Sequence, residues 1–308
     1  MAAGTAGPPA RSAPDAASGT AAAGEVEARA LVDELAGVVG GRRHEARFIL
    51  DEVLDACPGG ARPSVVPAGA AAAARAMAAR RAVGEPLQYI FGHWPFRGLD
   101  LRVDPRVLIP RPETELVVEV ALSQLDRIGE LRGATELLAV DLGTGSGVIA
   151  LSIVAERSAV GVIATDSDPG ALELAAANLA RTEARAASRV RLVLGDWYGA
   201  LPVDLAGAID LIVANPPYLA EHEWPGLDPV VSGFDPYGAL VAGPSGLEAV
   251  TAVVAGAPMW LGEDGAVVVE IAPHQAGAAL ELARNAGFAW AKVEDDLAGR
   301  ERVLVAGR

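Results

Sequence analysis

A planar –NH2 group offers two N–H donors, and one side-chain amide oxygen plus one backbone carbonyl can accept both. Asn215-Pro216-Pro217-Tyr218 can supply such a pair. The stretch follows Asp210-Leu211-Ile212-Val213-Ala214, an apolar run that reads as a buried parallel strand. Two prolines cannot continue a strand, because neither donates a ladder hydrogen bond. The forced turn leaves the Asn215 side chain and the Ala214 and Pro216 carbonyls at the carboxyl edge of a sheet, where open α/β sheets bind ligands. Tyr218 can stack on the face of the held group. The arrangement suits an amine or amide nitrogen presented for alkylation. The same four residues also read as a strand stop followed by a core tyrosine.

A second constellation lies upstream. Leu137 to Asp141 reads as a strand, Leu142-Gly143-Thr144-Gly145-Ser146-Gly147 as a glycine-rich turn, and Val148 to Ala155 as a helix. Glycines let the backbone approach a ligand closely, and a helix amino terminus offers unpaired N–H groups. Val162 to Thr165 reads as the next strand and ends at Asp166, placed to accept from ribose hydroxyls. The nearby Asp168 precedes Pro169 and reads as a helix cap. The spacing G-x-G-x-G differs from the dinucleotide fingerprint G-x-G-x-x-G. Together with the later N-P-P-Y it points to S-adenosyl-L-methionine rather than NAD. After the strand Val190 to Leu194, Trp197 can wall an adenine pocket and Asp196 can accept from an adenine amino group. A core tryptophan with a capping aspartate is the alternative.

Several segments resemble the HemK/PrmC protein-glutamine N5-methyltransferases. They are Gly84 to Gly92, Val107 to Glu115 with its Pro-Arg-Pro-Glu-Thr-Glu run, and Asp141 to Gly147. They continue with Asn215 to Tyr218, Phe234-Asp235-Pro236 with Ala239-Leu240, and Asp296 to Arg300. The Pro-Arg-Pro-Glu-Thr-Glu run is specific to that family, whereas the glycine loop and N-P-P-Y are shared with many methyltransferases. The resemblance implies that Gly143, Thr144, Gly145, Ser146, Gly147, Asp166, Trp197 and Asn215 bind the cofactor. It implies that Asn215, Pro216, Pro217 and Tyr218 hold the substrate, the glutamine of the Gly-Gly-Gln motif of class 1 peptide chain release factors in translation termination. The catalytic set is Asn215, Pro216 and Tyr218. Pro95 and the long Ala/Gly-rich amino terminus depart from the family pattern.

Composition restricts the alternatives. The net charge is −15, and the acidity lies mostly after residue 100. That argues against stable binding of duplex DNA, which rests on neutralising phosphates. Cys57 is the only cysteine, so no internal disulfide forms, which fits a reducing cytoplasm. His44, His93, His222 and His274 are scattered without ligand spacing, so no metal is expected. No uninterrupted apolar run suggests a membrane span, and a monomer is expected.

The predicted fold is α/β: a Rossmann-like class I S-adenosylmethionine-dependent methyltransferase domain, with a small helical N-terminal domain joined by a β-hairpin. Residues 1–24 read as a disordered tail. Residues 25–86 form the helical substrate-recognition domain, 87–111 the hairpin linker and 112–308 the methyltransferase domain. Arg75, Arg80 and Arg81 read as a solvated face, with contact to a protein or the ribosome as the alternative. Gln88 to Val103 alternates aromatic and polar residues and reads as a hairpin. Arg111 and Glu113 are candidates for the substrate entrance, or for an interdomain ion pair or the cap of a helix at Thr114. Two other functions stay open at this point: a nucleic-acid adenine N6-methyltransferase, since N-P-P-Y also serves exocyclic amines, and a non-catalytic cofactor-binding module. Another protein's glutamine is a further alternative substrate.

Overall fold

The order of hydrophobic strands along the chain decides the central architecture. The computed structural model describes residues 25–55, 63–134 and 136–308. The tail 1–24 and Cys57 lie outside the described residues. By its contacts the chain forms two units, one ending at Ala82 and one beginning at Val83. The division falls four residues before the boundary read from the sequence.

The first unit packs three helices, Ala28–Val38, Arg43–Asp55 and Ala68–Ala82, beside a short antiparallel pair, Val26–Glu27 with Val65–Val66. Leu31, Leu35, Ile49 and Leu50 are buried, and Ala71, Ala74 and Ala78 form a fully buried stripe of small residues on the third helix. Such spacing puts them on one face and allows close approach between helices. Arg75 lies on a solvated face, paired there with an equally exposed Glu34, whereas Arg81 does not. Arg75 Nε donates to Glu34 at 2.6 Å, and Arg81 Nε donates to Glu45 at 2.7 Å. Glu45 is buried, and the Arg81 side chain is only 12 % exposed.

The second unit is built on seven strands: β1 (Leu137–Leu142), β2 (Val160–Asp166), β3 (Val190–Leu194), β4 (Ile209–Ala214), β5 (Leu261–Glu270), β6 (Trp290–Asp295) and β7 (Glu301–Gly307). Their spatial order is β3-β2-β1-β4-β5-β7-β6. The first five are parallel, and β7 runs antiparallel to both β5 and β6.

Helices cover both sheet faces, so the central strands are apolar on both sides rather than alternating. Ala139, Leu211, Val213 and Val268 pack on one face with the helices Pro112–Arg132 and Val148–Glu156. Val140, Ile212, Val267 and Val269 pack on the other with Glu248–Trp260 and Ala276–Asn285.

One local reading needs correction. Leu87–Phe91 is a helical turn, and the hairpin is shorter than predicted, His93–Phe96 paired with Leu99–Arg102. Pro86 opens the turn with its φ already set, and Gly92 closes it at φ +78°, a left-handed conformation that glycine adopts without steric cost. Five residues are too few to show a helical period, so their aromatic-polar alternation resembled a strand.

Candidate active site

The carboxyl ends of β1, β2, β3 and β4 open into one cavity of about 280 Å³. Its lining joins Gly143 to Ser146, Asp166 to Asp168, Gly195 to Trp197 and Asn215 to Pro217, with Arg111 and Thr114 from the helix start and Pro236, Gly238 and Ala239 from a later loop. It therefore collects nearly all the candidate residues read from the sequence. Gly147 lies one step inside, at the cap of the helix Val148–Glu156. Tyr218 does not line the cavity. Its phenol is pushed up to about 12 by burial, with the charge of Glu270 adding to the shift.

The glycine loop is held from below. Gly143 and Thr144 N–H groups both donate to the Thr165 carbonyl, at 2.9 and 2.8 Å. Gly143 and Gly147 take φ of +74° and +85°, which only glycine adopts freely. Asp166 Oδ2 accepts from Gly145 N–H at 2.8 Å, and its Oδ1 accepts from Asp168 N–H at 3.0 Å. Burial raises the Asp166 carboxyl above its ordinary range, and these backbone donors oppose the rise. Asp168 caps the next helix by accepting from Gly170 N–H at 2.7 Å, as its position before Pro169 predicted. Asp141 is fully buried beneath the loop, accepts from Thr144 Oγ1 and Ala150 N–H, and is pushed up to about 7 by burial.

Trp197 has a left-handed backbone at φ +41°. A non-glycine residue held there is a local strain that the surrounding turn must support. A Cβ on Gly143 would meet the Trp197 ring at 3.7 Å, so the indole covers the glycine loop at contact distance. Gly195 permits the turn, since a Cβ there would lie 2.7 Å from Ala200 Cβ.

At the other end of the cavity stands Asn215. Its Nδ2 donates to Thr114 Oγ1 at 3.0 Å, and Thr114 Oγ1 donates to Glu270 Oε2 at 2.9 Å. Sheet register explains the meeting. Ala214 pairs with Val269, so the residues one step beyond, Asn215 and Glu270, stand side by side at the sheet edge. Asn215 lines the cavity, and with Nδ2 given to Thr114 its amide oxygen is the end available to accept a hydrogen bond there.

Segments quoted above for their resemblance are tied together beside it. Tyr89 Oη lies 2.7 Å from the Val107 carbonyl oxygen and 2.9 Å from Asp235 Oδ1, its one hydrogen shared between the two acceptors, while Arg111 Nη2 donates to Asp235 Oδ2 at 2.5 Å. Burial raises the Asp235 carboxyl, and Arg111 and Tyr89 counter it. Arg111 is therefore an ion-pair partner on the cavity wall. Thr114 does not cap the helix, which starts at Pro112 with Arg111 as its first flanking residue. Glu113 lies 3.5 Å from Arg300, which also pairs with Asp296 at 2.7 Å.

Four residues escaped the sequence reading: Thr114 as a link, Glu270, Asn178 and Gln275. Asn178 Nδ2 donates to the Ser146 and Arg102 carbonyls, joining the glycine loop to the hairpin. Gln275 Nε2 donates to the Tyr218 and Gly246 carbonyls, both at 2.9 Å, and so holds the segment after the prolines. Glu270 alone carried a signal, as an acid ending the apolar run Val267-Val268-Val269. Gly246 sits at φ +81°, where a Cβ would come within 2.8 Å of the Tyr218 carbonyl oxygen. Gly246→Ala is expected to lower stability by about 1–3 kcal/mol. Chemical denaturation followed by circular dichroism measures this; an unchanged midpoint would contradict the close approach.

The comparisons with known proteins agree with this geometry. Residues 122–225 match the model of the family described as "Methyltransferase small domain". The release factor glutamine methyltransferase of Burkholderia pseudomallei is 42 % identical over 240 residues, covering 77 % of this chain and 81 % of that protein. The chain belongs to the release factor glutamine methyltransferase family. A second member of the family, from Cereibacter sphaeroides, is 41 % identical over 244 residues, covering 79 % of this chain and 82 % of that protein. The solved catalytic domain of hMettl16, in complex with the MAT2A 3'UTR hairpin 6, has a TM-score of 0.51 at 16 % identity, over 75 % of this chain and 81 % of that one. That likeness is one of fold. Family membership makes the chain a methyltransferase with a Rossmann-like catalytic domain. Among the described residues no group of three or more His, Cys, Asp or Glu is placed to hold a metal ion, and no helix is long and apolar enough to cross a membrane.

Proposed function

We propose that this enzyme methylates N5 of a protein glutamine, that of the Gly-Gly-Gln motif in class 1 peptide chain release factors, with S-adenosylmethionine as the methyl donor. The observation that carries the reading is the Asn215 amide on the cavity wall, tied through its nitrogen to Thr114, which leaves its oxygen as the acceptor.

The cavity's chemistry fits the donor. Asp166, at the end of β2, has lone pairs beyond those taken by its two backbone donors and suits the ribose hydroxyls. The Trp197 indole offers a flat apolar surface beside Gly143, suited to adenine. The loop Gly143 to Gly147 brings backbone close to whatever it holds. When bound, S-adenosylmethionine supplies a methyl group already activated by a sulfonium.

The remaining difficulty is the nucleophile, because an amide nitrogen shares its lone pair with its carbonyl. In the proposed mechanism Asn215 Oδ1 and the Pro216 carbonyl accept the two N–H bonds of the substrate amide. This fixes the direction of the nitrogen lone pair and favours positive charge as it develops on nitrogen. Such differential stabilisation lowers the barrier, whereas equal binding of ground and transition states does not. No side chain of the cavity is required as a base, since the alkylated amide is acidic enough to lose its proton to water. Tyr218 is assigned the support of the Asn-Pro-Pro turn rather than a face of the substrate.

A glutamine side chain carries few groups that distinguish it from another, so selectivity needs contacts away from the cavity. The helical unit before Val83 is assigned that recognition. Because Arg75 and Arg81 are already paired, they are not its first candidates.

Purified enzyme, radiolabelled S-adenosylmethionine, a release factor and its Gln→Ala variant of the Gly-Gly-Gln motif test the reading. Label is expected on the first protein and not on the second. Transfer to DNA adenine with none to the release factor would overturn it.

A further inference from the structure

The proposed reaction requires Asn215 to present oxygen, not –NH2, to the substrate amide. The two ends of a carboxamide are nearly equal in size, so only hydrogen-bonding partners decide which end faces the cavity. We propose that Glu270, acting through the Thr114 hydroxyl, is the positioning residue that makes this choice and thereby switches Asn215 between acceptor and donor. The inference rests on the functional reading above.

The hydroxyl has one hydrogen. An ionised Glu270 can only accept, so Thr114 Oγ1 gives it that hydrogen, at 2.9 Å. The hydroxyl oxygen is then left to accept, and it takes the Asn215 Nδ2–H at 3.0 Å. Oδ1 is turned to the cavity. A neutral Glu270 can instead donate to Thr114. The hydroxyl hydrogen then points at Asn215, the amide turns to accept it with Oδ1, and Nδ2 faces the cavity. Two –NH2 groups would then meet, and the substrate amide would lose an acceptor.

Thr114 and Glu270 are each 1 % exposed, so water does not compete for either bond. Four groups from three neighbouring elements face the Glu270 carboxyl electrostatically: Arg302 on β7, Arg111 and Glu113 at the start of the helix Pro112–Arg132, and Tyr218 after β4. Arg111 is shared with Asp235, and Arg302 lies 3.5 Å from Asp296. The cations therefore compensate burial only in part, and Glu270 is pushed up to about 7. Both states of the relay lie within reach near neutrality.

The sequence has three asparagines, Asn178, Asn215 and Asn285, so protein labelled with 15N-asparagine gives three side-chain amides to assign. The Asn215 amide of the wild type is expected to titrate with a midpoint near 7, and that of Glu270→Gln not to titrate. The kcat of methyl transfer to the release factor is expected to rise through the same midpoint, and to be flat with pH in Glu270→Gln. Thr114→Val should lower kcat on the order of tenfold or more with KM for the release factor within about twofold, and Thr114→Ser should restore it. An Asn215 amide that ignores pH, or one that titrates alike in wild type and Glu270→Gln, overturns the relay. Absence of any transfer by the wild type overturns the functional reading instead, and the amide spectra still decide the relay.

Discussion

Asn215→Ala is expected to lower kcat on the order of 10²–10³-fold, the scale seen when one preorganised transition-state hydrogen-bond partner is removed. The KM for the release factor should change by no more than about threefold, because the bond gains strength mainly as charge develops on nitrogen. Steady-state methyl transfer separates the two constants. A loss confined to KM would make Asn215 a binding residue only. Asn215→Asp should not rescue. Its second oxygen would face a Thr114 hydroxyl already committed to Glu270, and would set two carboxylates side by side at one sheet edge. Like charges so placed cannot both stay ionised.

Asp166→Ala carries the other large effect. It removes the acceptor assigned to the ribose hydroxyls and also releases the N–H groups of Gly145 and Asp168, which the carboxylate now fixes. Hydrogen bonds to a charged group are worth about 1.5–3 kcal/mol each, so affinity for S-adenosylmethionine should fall tenfold to a hundredfold or more. Titration calorimetry on the folded variant measures it. Unchanged affinity would refute the assignment.

Legibility in the sequence followed the range of the interactions involved. β1, β2 and β4 were plain because burial on both faces leaves continuous apolar runs, and the turns after them carry glycines, an aspartate or prolines. Their register was not legible, yet register is what sets Glu270 beside Asn215. Thr114 meets Glu270 across 156 positions of chain and Asn215 across 101. No local pattern encodes either distance. In the Pro-Arg-Pro-Glu-Thr-Glu run the charges are the visible candidates for chemistry, whereas the threonine holds the central place in the network. The burial of Arg81 was hidden for the same reason, since its partner Glu45 lies 36 residues away. Asp168 was read correctly because a cap and its amide are two residues apart.

The strand order has a consequence for the lifetime of the enzyme. β1 and β4 are neighbours, Ala139 beside Leu211 and Leu142 beside Ala214, although β2 and β3 intervene along the chain. The cavity straddles this seam, with Gly143 to Ser146 on one bank and Asn215 to Pro217 on the other. A methyl donor lodged there holds only the fully assembled sheet, because neither bank alone completes the pocket. At a hundred times its dissociation constant such a ligand deepens the native well by about 2.7 kcal/mol. Donor supply would then govern resistance to proteolysis as well as turnover, and a cell short of donor would hold fewer copies of the enzyme, not merely idle ones.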